Sequence, residues 1–230
     1  LWFLMTSPLP VPPIPTYATD SALLPLTGAP VEAVVPLALL EAVRARDLPA
    51  TDLEVELVHE LRNKRFGLSD TVYKQIKRHE EAVRRQQSIA FDEVLALARL
   101  VGRRPDADLV FRDAGRRVAR AALDTVSAGT RRAARSLPRP LGRPLALRHL
   151  RSLCRRYLAG TVERQGAMLM LEVPNPVTAD AAADGQGCGF QEAAWRELLL
   201  GLTGIEHAIQ QVACRTRGAR TCQWRTDWRR

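Results

Sequence analysis

From Ser69 onward, apolar residues recur at Val72, Ile76, Val83, Ala90, Val94, Leu97 and Val101, close to a seven-residue repeat. That spacing gathers them on one face of a helix, and Ser69 is suited to cap it because a serine hydroxyl accepts from the backbone N–H groups of a first turn. The pattern predicts one long amphipathic helix over 69–101, about 45–50 Å from end to end at the α-helical rise. A helix of that length needs cover for its stripe, either the rest of its own domain or a partner helix or second copy laid along it as a seam. His79, Gln86 and Gln87 interrupt the stripe where an isolated coiled coil would place leucine.

The rest of the chain supports a folded protein around such a helix. Of 230 residues, 46% are hydrophobic and 26% charged, which excludes wholesale disorder. The richest apolar stretch, 33–43, is broken by Pro36 and Glu41 and falls short of the roughly 18 residues a membrane span needs. Residues 1–5 are apolar but lack a basic flank and run into Pro8, Pro10, Pro12, Pro13 and Pro15, so a secretory signal is not expected. Residues 1–30 read as a proline-rich extended arm, 31–104 as a helical region, and 105–230 as a further domain.

Within the helical region, helices are expected over 36–46 and 52–64, the second closed by Gly67. Beyond the turn at Arg103-Arg104-Pro105, Ala114, Gly115, Ala119 and Ala122 fall at helical spacing in 108–126, and such small residues let another backbone approach closely. Pro138, Pro140 and Pro144 read as a linker, with Pro144 opening a helix that carries Leu147, Leu150, Cys154 and Tyr157 and stops at Gly160. A buried strand over 167–173, a helix over 190–202 ended by Gly204, and a hairpin of 206–214 with 221–226 around Gly218 complete the reading. The expected class is α/β in the broad sense, more narrowly α+β: helices first, including one long amphipathic helix, then an antiparallel sheet flanked by helices.

Four cysteines occur, at 154, 188, 214 and 222. Cys154 lies on the apolar face of its helix and reads as a core residue. Cys214 and Cys222 sit at the two ends of the expected hairpin, and Cys188 follows the Gly-rich turn Gly185-Gln186-Gly187. Three thiolates make most of a zinc site, with Gln211, His207 or water as the fourth ligand.

These residues also carry a resemblance. The run Leu171-Glu-Val-Pro-Asn-Pro176, then Cys188-Gly-Phe-Gln-Glu-Ala and a helix to Gly204, then Gln211-Val-Ala-Cys-Arg-Thr-Arg-Gly218 and Cys222-Gln-Trp224, resembles the four-vinyl reductase domain. The helix around Arg112-Asp-Ala-Gly-Arg-Arg117 is similar to the start of that domain, so the likeness covers about 105–226, half of the chain. It implies the fold of small TRAPP subunits, helices over an antiparallel sheet, and a structural zinc held by three cysteines and a glutamate. Carried onto this chain, the cysteines are Cys188, Cys214 and Cys222, while the glutamate position is Gln211, a neutral and poorer ligand. The stretch Arg131-Arg-Ala-Ala-Arg-Ser-Leu-Pro-Arg-Pro140 and the helix after it are most similar to the bacteriochlorophyll-biosynthesis branch, which implies a tetrapyrrole as ligand.

The formal charge is +9, and its placement is uneven. Residues 1–76 hold nine acids against six bases, whereas 125–162 holds no acid and nine arginines. Arg148, Arg151 and Arg155 share one helix face, expected to lie opposite Leu147, Leu150 and Cys154, where forked guanidinium groups suit phosphates or carboxylates. An anionic membrane surface, an acidic protein or tetrapyrrole carboxylates fit that face. Nucleic acid does not, because stacking aromatics are scarce. No catalytic set emerges: His59 and His79 lie in charged helical contexts that read as solvated, His149 is flanked by Arg148 and Arg151, and Gly185-Gln-Gly-Cys-Gly189 is no nucleotide fingerprint.

The expectation is a non-enzymatic binding or accessory protein. Its C-terminal domain would hold a hydrophobic or aromatic ligand, a tetrapyrrole among the candidates, and its N-terminal arm and the 69–101 helix would dock a protein partner or a second copy. A structural subunit of a larger complex and a divinyl tetrapyrrole reductase fed by an external electron donor are the alternatives. The expected location is cytoplasmic, with a peripheral contact to the inner membrane as the variant.

Overall fold

The structure, a computed structural model, describes residues 28–48 and 66–229. Residues 1–27 of the arm expected over 1–30, and the helix expected over 52–64 with His59, lie outside the described residues.

Strand β1 (Val31–Glu32) leads into helix α1 (Val34–Asp47). Helix α2 (Asp70–Arg84), strand β2 (Ser88–Ile89), helix α3 (Phe91–Gly102) and helix α4 (Ala107–Asp124) follow. Helices α5 (Ala128–Ser136) and α6 (Arg139–Tyr157) lead to the hairpin of β3 (Thr161–Gln165) and β4 (Met168–Val173). Helix α7 (Gly189–Thr203) then precedes strands β5 (Ile209–Ala213) and β6 (Cys222–Asp227). The architecture is α+β: seven described helices, a two-stranded sheet β1–β2, and an antiparallel four-stranded sheet in the order β3-β4-β6-β5.

The single long helix expected over 69–101 is two helices. Ser69 caps α2 as expected, accepting from the Val72 N–H at 3.3 Å. The chain turns at Gln86, whose φ of 52° lies in the left-handed region, and Ser88–Ile89 pair with Glu32 and Val31 before α3 begins. No glycine or proline marks this break. Asp92 and Glu93 do mark the new start, since acids in a first turn complement the helix dipole. The stripe survives the break: Val72, Ile76, Val94 and Val101 are all buried.

His79 is corrected by the same packing. Expected in solvent, it is 3% exposed, because it lies at i+3 from Ile76 and i+7 from Val72, on the face that α2 turns toward α1. Its Nδ1 is buried without a hydrogen-bond partner. Burial and the neighbouring Arg78 lower its pKa, against a smaller opposing pull from Glu93.

Asp47 at the end of α1 forms a second buried polar point. Its carboxylate accepts from the Gly67 N–H at 2.8 Å and from Arg104 Nη1 and Nη2 at 3.0 and 2.8 Å. Arg104 Nε donates to Asp106 at 2.8 Å, so the turn before α4 is tied to α1.

Helix α4 lies against α7, and the small residues expected to allow close approach do so. Ala114, Ala119 and Ala122 are buried, and a Cβ added at Gly115 would stand 2.2 Å from the Phe190 carbonyl oxygen. The inner face of the large sheet supplies Leu169, Leu171 and Val173 from β4, paired with Thr226, Trp224 and Cys222 of β6. They join Phe111, Phe190, Trp195 and Leu198 in one core that also takes in Val35, Leu39 and Val94. Residues on both sides of position 104 therefore contribute to the same interior.

The prolines after α5 do not form a linker. Pro138 is the N-cap of α6, Pro140 sits in its first turn and Pro144 lies inside it. A first-turn proline sacrifices only an N–H that has no partner anyway, and Pro144 faces solvent. Four elements went unforeseen: the paired strands β1 and β2; α5, capped by Ser127, whose hydroxyl accepts from the Thr130 N–H at 3.1 Å; and strand β3, an edge strand with only Val162 buried.

Candidate metal centre

Three elements end at one place. Cys188 is the N-cap of α7, Cys214 follows β5, and Cys222 opens β6. All three are buried, and their sulfurs lie within 4.8 Å of one another. Cys188 Sγ is 3.6 Å from Cys214 Sγ and 3.8 Å from Cys222 Sγ. Disulfide sulfurs stand about 2.05 Å apart, and all four cysteines are free. Three thiolates on a tetrahedral ion with bonds of about 2.3 Å would stand roughly 3.8 Å apart. The sulfurs thus have the spacing of metal ligands.

The local backbone serves those sulfurs. Between β5 and β6 the chain makes a tight knuckle, in which the N–H groups of Arg217 and Ala219 both reach the Cys214 carbonyl at 3.1 Å. The Arg215 N–H donates to Cys222 Sγ at 3.4 Å, and the Thr216 hydroxyl lies 2.9 Å from Cys214 Sγ. The hydrogen bond from the Cys188 thiol, aided by the Arg215 N–H, holds the Cys222 pKa below the usual thiol range. Cys188 moves the other way because the Cys222 thiolate and burial favour its protonated form. Gly185, at φ 75°, crosses beside the cluster, where an added Cβ would stand 3.4 Å from Cys214 Sγ.

Gln211 lies on β5 opposite Trp224, three residues before Cys214, with a bulge between Gln211 and Ala213. Its Nε2 is buried without a hydrogen-bond partner. His207 is elsewhere: its Nδ1 lies 3.0 Å from the Asp227 carbonyl, its Nε2 lies 3.3 Å from the Thr203 hydroxyl, and its ring stacks on Trp228. It is no ligand to the thiol cluster. Cys154 is fully buried, and burial alone raises its pKa, as befits a core thiol.

The knuckle is fastened to a second feature. Arg215 Nη1 donates to the Pro174 carbonyl and to Asn175 Oδ1, both at 3.0 Å. Pro174 and Asn175 form part of the wall of an apolar chamber of about 180 Å³, whose other walls include Val35, Phe91, Tyr157, Val177 and Phe190. At its rim Arg156 Nε donates to Glu32 at 2.8 Å, and the guanidinium lies over the Tyr157 ring. The chamber was not foreseen, because Val35, Phe91, Tyr157 and Phe190 come from four separate elements. Arg156 stands outside the expected face because it sits one residue beyond Arg155, about 100° further around the helix.

Arg148, Arg151 and Arg155 are brought together as expected. They line an open cleft of about 560 Å³ with Pro144, Leu147, Ser152 and Arg156. Leu150 and Cys154 are buried on the opposite side, but Leu147 lines the cleft itself and does not oppose the arginines. His149, next to Arg148, is half-buried.

No protein-family model matches the chain, and no curated protein matches it.

Proposed function

We propose that this chain is a non-enzymatic binding protein that holds a small hydrophobic or aromatic ligand in the chamber between α1, α6 and α7, and that a zinc ion at Cys188, Cys214 and Cys222 braces the chamber wall. The observation that carries the reading is the chamber itself. An apolar cavity of about 150 Å³ admits benzene, so a volume of about 180 Å³ accepts one aromatic ring with a small substituent. The resemblance to the four-vinyl reductase domain supports the same reading. A whole tetrapyrrole exceeds the chamber. One vinyl- or methyl-bearing edge fits, with the carboxylates directed toward the cleft that shares Arg156.

In this reading Cys188, Cys214 and Cys222 hold the zinc, with Gln211 as the fourth ligand that the resemblance implies. The ion supplies a cross-link among α7, β5 and β6 that replaces part of a small hydrophobic interior. Through Arg215 and Asn175 that cross-link steadies one wall of the chamber. The N-terminal half docks a partner, for which the exposed Tyr73, flanked by Arg44 and Lys77, is the natural contact.

The test is a titration of para-cresol followed by ligand-observed nuclear magnetic resonance. Saturable binding to the wild type, lost in Val177→Phe with the far-ultraviolet spectrum and melting curve retained, supports the reading. Absence of binding, or equal binding by both proteins, overturns it. Metal content measured beside free thiols, for the wild type and the Cys214→Ser, Cys222→Ser double variant, tests the zinc: near-stoichiometric metal lost in the variant is expected.

A further inference from the structure

We propose that the outer face of α6 is a docking surface for an anionic phospholipid bilayer. Buried residues Ala146, Leu150, Leu153 and Tyr157 define the inner side of this helix. At 3.6 residues per turn, Leu141, Pro144, Arg148, Arg151 and Arg155 fall on the opposite side within an arc of about 80°. They make a stripe about 21 Å long at the helical rise, and no acidic residue lines the cleft along it.

The arginines of this stripe are uncompensated. Among the described residues, none of Arg148, Arg151 and Arg155 is ion-paired, although ion pairs engage Arg112, Arg116, Arg117 and Arg120 on α4. Arg151 Nε donates to the Val162 carbonyl at 3.1 Å, which anchors the side chain without neutralising it. Charges left unpaired along one side of a helix, in a run of 38 positions without a single acid, form a standing positive field.

The apolar residues on the same side identify the anion. Leu141 is 62% exposed and Pro144, one turn on, is exposed too. A leucine held in water beside arginines suits an interface with acyl chains below and phosphates above, where arginine stems lie along the apolar layer and their heads reach the headgroups. A single-stranded nucleic acid would need stacking rings, and the helix's one aromatic, Tyr157, faces inward. A free phosphate would need an enclosing site, and this cleft is open.

The experiment is co-sedimentation of the purified chain with vesicles of phosphatidylglycerol and phosphatidylcholine in equal parts, and with phosphatidylcholine alone. Binding to the mixed vesicles only is expected, lost when salt reduces the screening length to about 3 Å near 1 M. At about fivefold per basic residue, the Arg148→Gln, Arg151→Gln, Arg155→Gln variant should bind roughly a hundredfold more weakly, Leu141→Ser measurably more weakly, and Arg120→Gln like the wild type. Failure of the wild type to bind mixed vesicles overturns the proposal. So does binding unchanged in the triple variant, or binding abolished by millimolar inorganic phosphate, which would mark a free-anion site. Retention of the triple variant's helical spectrum guards against loss of fold, which these exposed positions do not threaten.

Discussion

Helices α4 and α6 are both rich in arginine, and the tertiary structure treats the two sets in opposite ways. On α4, Arg112 reaches Glu192 at 3.3 Å, Arg120 reaches Glu197 at 3.0 Å, and Arg117 reaches Asp113 at 2.9 Å. Two of those acids stand on α7, so the pairs knit together helices already joined through Gly115. On α6, Arg156 pairs with Glu32 at the chamber rim, whereas Arg148, Arg151 and Arg155 have no acidic partner among the described residues. Folding accounts for the arginines of α4. Of the outer stripe of α6 the fold uses Arg151 to hold the Val162 carbonyl, while the charges themselves repel one another and are what the proposed docking surface would use.

The largest contrast should come from the two backbones. Gly115→Val drives a side chain into the Phe190 carbonyl, and a loss of about 4 kcal/mol or more is expected, enough to threaten folding. Ser152→Val on the exposed side of α6 should stay within about 0.5 kcal/mol. Urea denaturation of the pair measures the difference, and equal losses would end the distinction between a packed helix and one with a free face.

The next contrast lies in the charges. Removing Arg104 takes from the Asp47 carboxylate, 6% exposed, the two guanidinium hydrogen bonds it accepts at 3.0 and 2.8 Å. Breaking a pair this deep costs about 3 kcal/mol, so Arg104→Met should lower the urea midpoint strongly. The Arg148→Gln, Arg151→Gln, Arg155→Gln variant should match or exceed the wild type. A triple variant destabilised as much as Arg104→Met would mean that the stripe is structural after all.

Salt sharpens the same point at smaller scale. Screening relieves like-charge repulsion, so raising ionic strength should stabilise the wild type by about 0.5–1 kcal/mol. The triple variant should gain less, and an equal gain would place the repulsion elsewhere.

The smallest effect concerns a charge the fold suppresses. His79 has its pKa lowered by burial, so below the ordinary histidine value of about 6.5 the unfolded chain binds a proton that the folded chain resists. Stability should therefore fall as pH drops below that value, and His79→Leu should flatten the slope. His207, also lowered by burial but hydrogen-bonded through both ring nitrogens, keeps its share of the slope in that variant. A slope unchanged by His79→Leu would show that the orphaned Nδ1 has no energetic consequence.

Much of the fold was legible because its signals are local. The periodicity of Val72, Ile76, Val94 and Val101, the small residues of α4, and Gly204 and Gly218 at their turns each depend on a few neighbouring residues, and each appears where expected. The break at Gln86 did not show, because it depends on Val31–Glu32, more than fifty residues earlier, offering a strand partner. The arginine stripe was legible for the same local reason that it repeats on one helix face. The chamber was not, since no sequence window contains Val35, Phe91, Tyr157 and Phe190 together.

By itself the sequence determined α1, α4 and α7, the antiparallel hairpin β5–β6, the three cysteines apt for one site, and the acid-free run of arginine. These follow from periodicity, turn chemistry and charge, which act within a helix turn or a hairpin. Only the tertiary structure decided that the thiols meet at 3.6 and 3.8 Å, that His207 and His79 are buried away from them, and that α4's arginines are paired while Arg148, Arg151 and Arg155 of α6 are not. Those outcomes depend on which element packs against which, and long-range packing of that kind is settled by the burial of the whole interior at once.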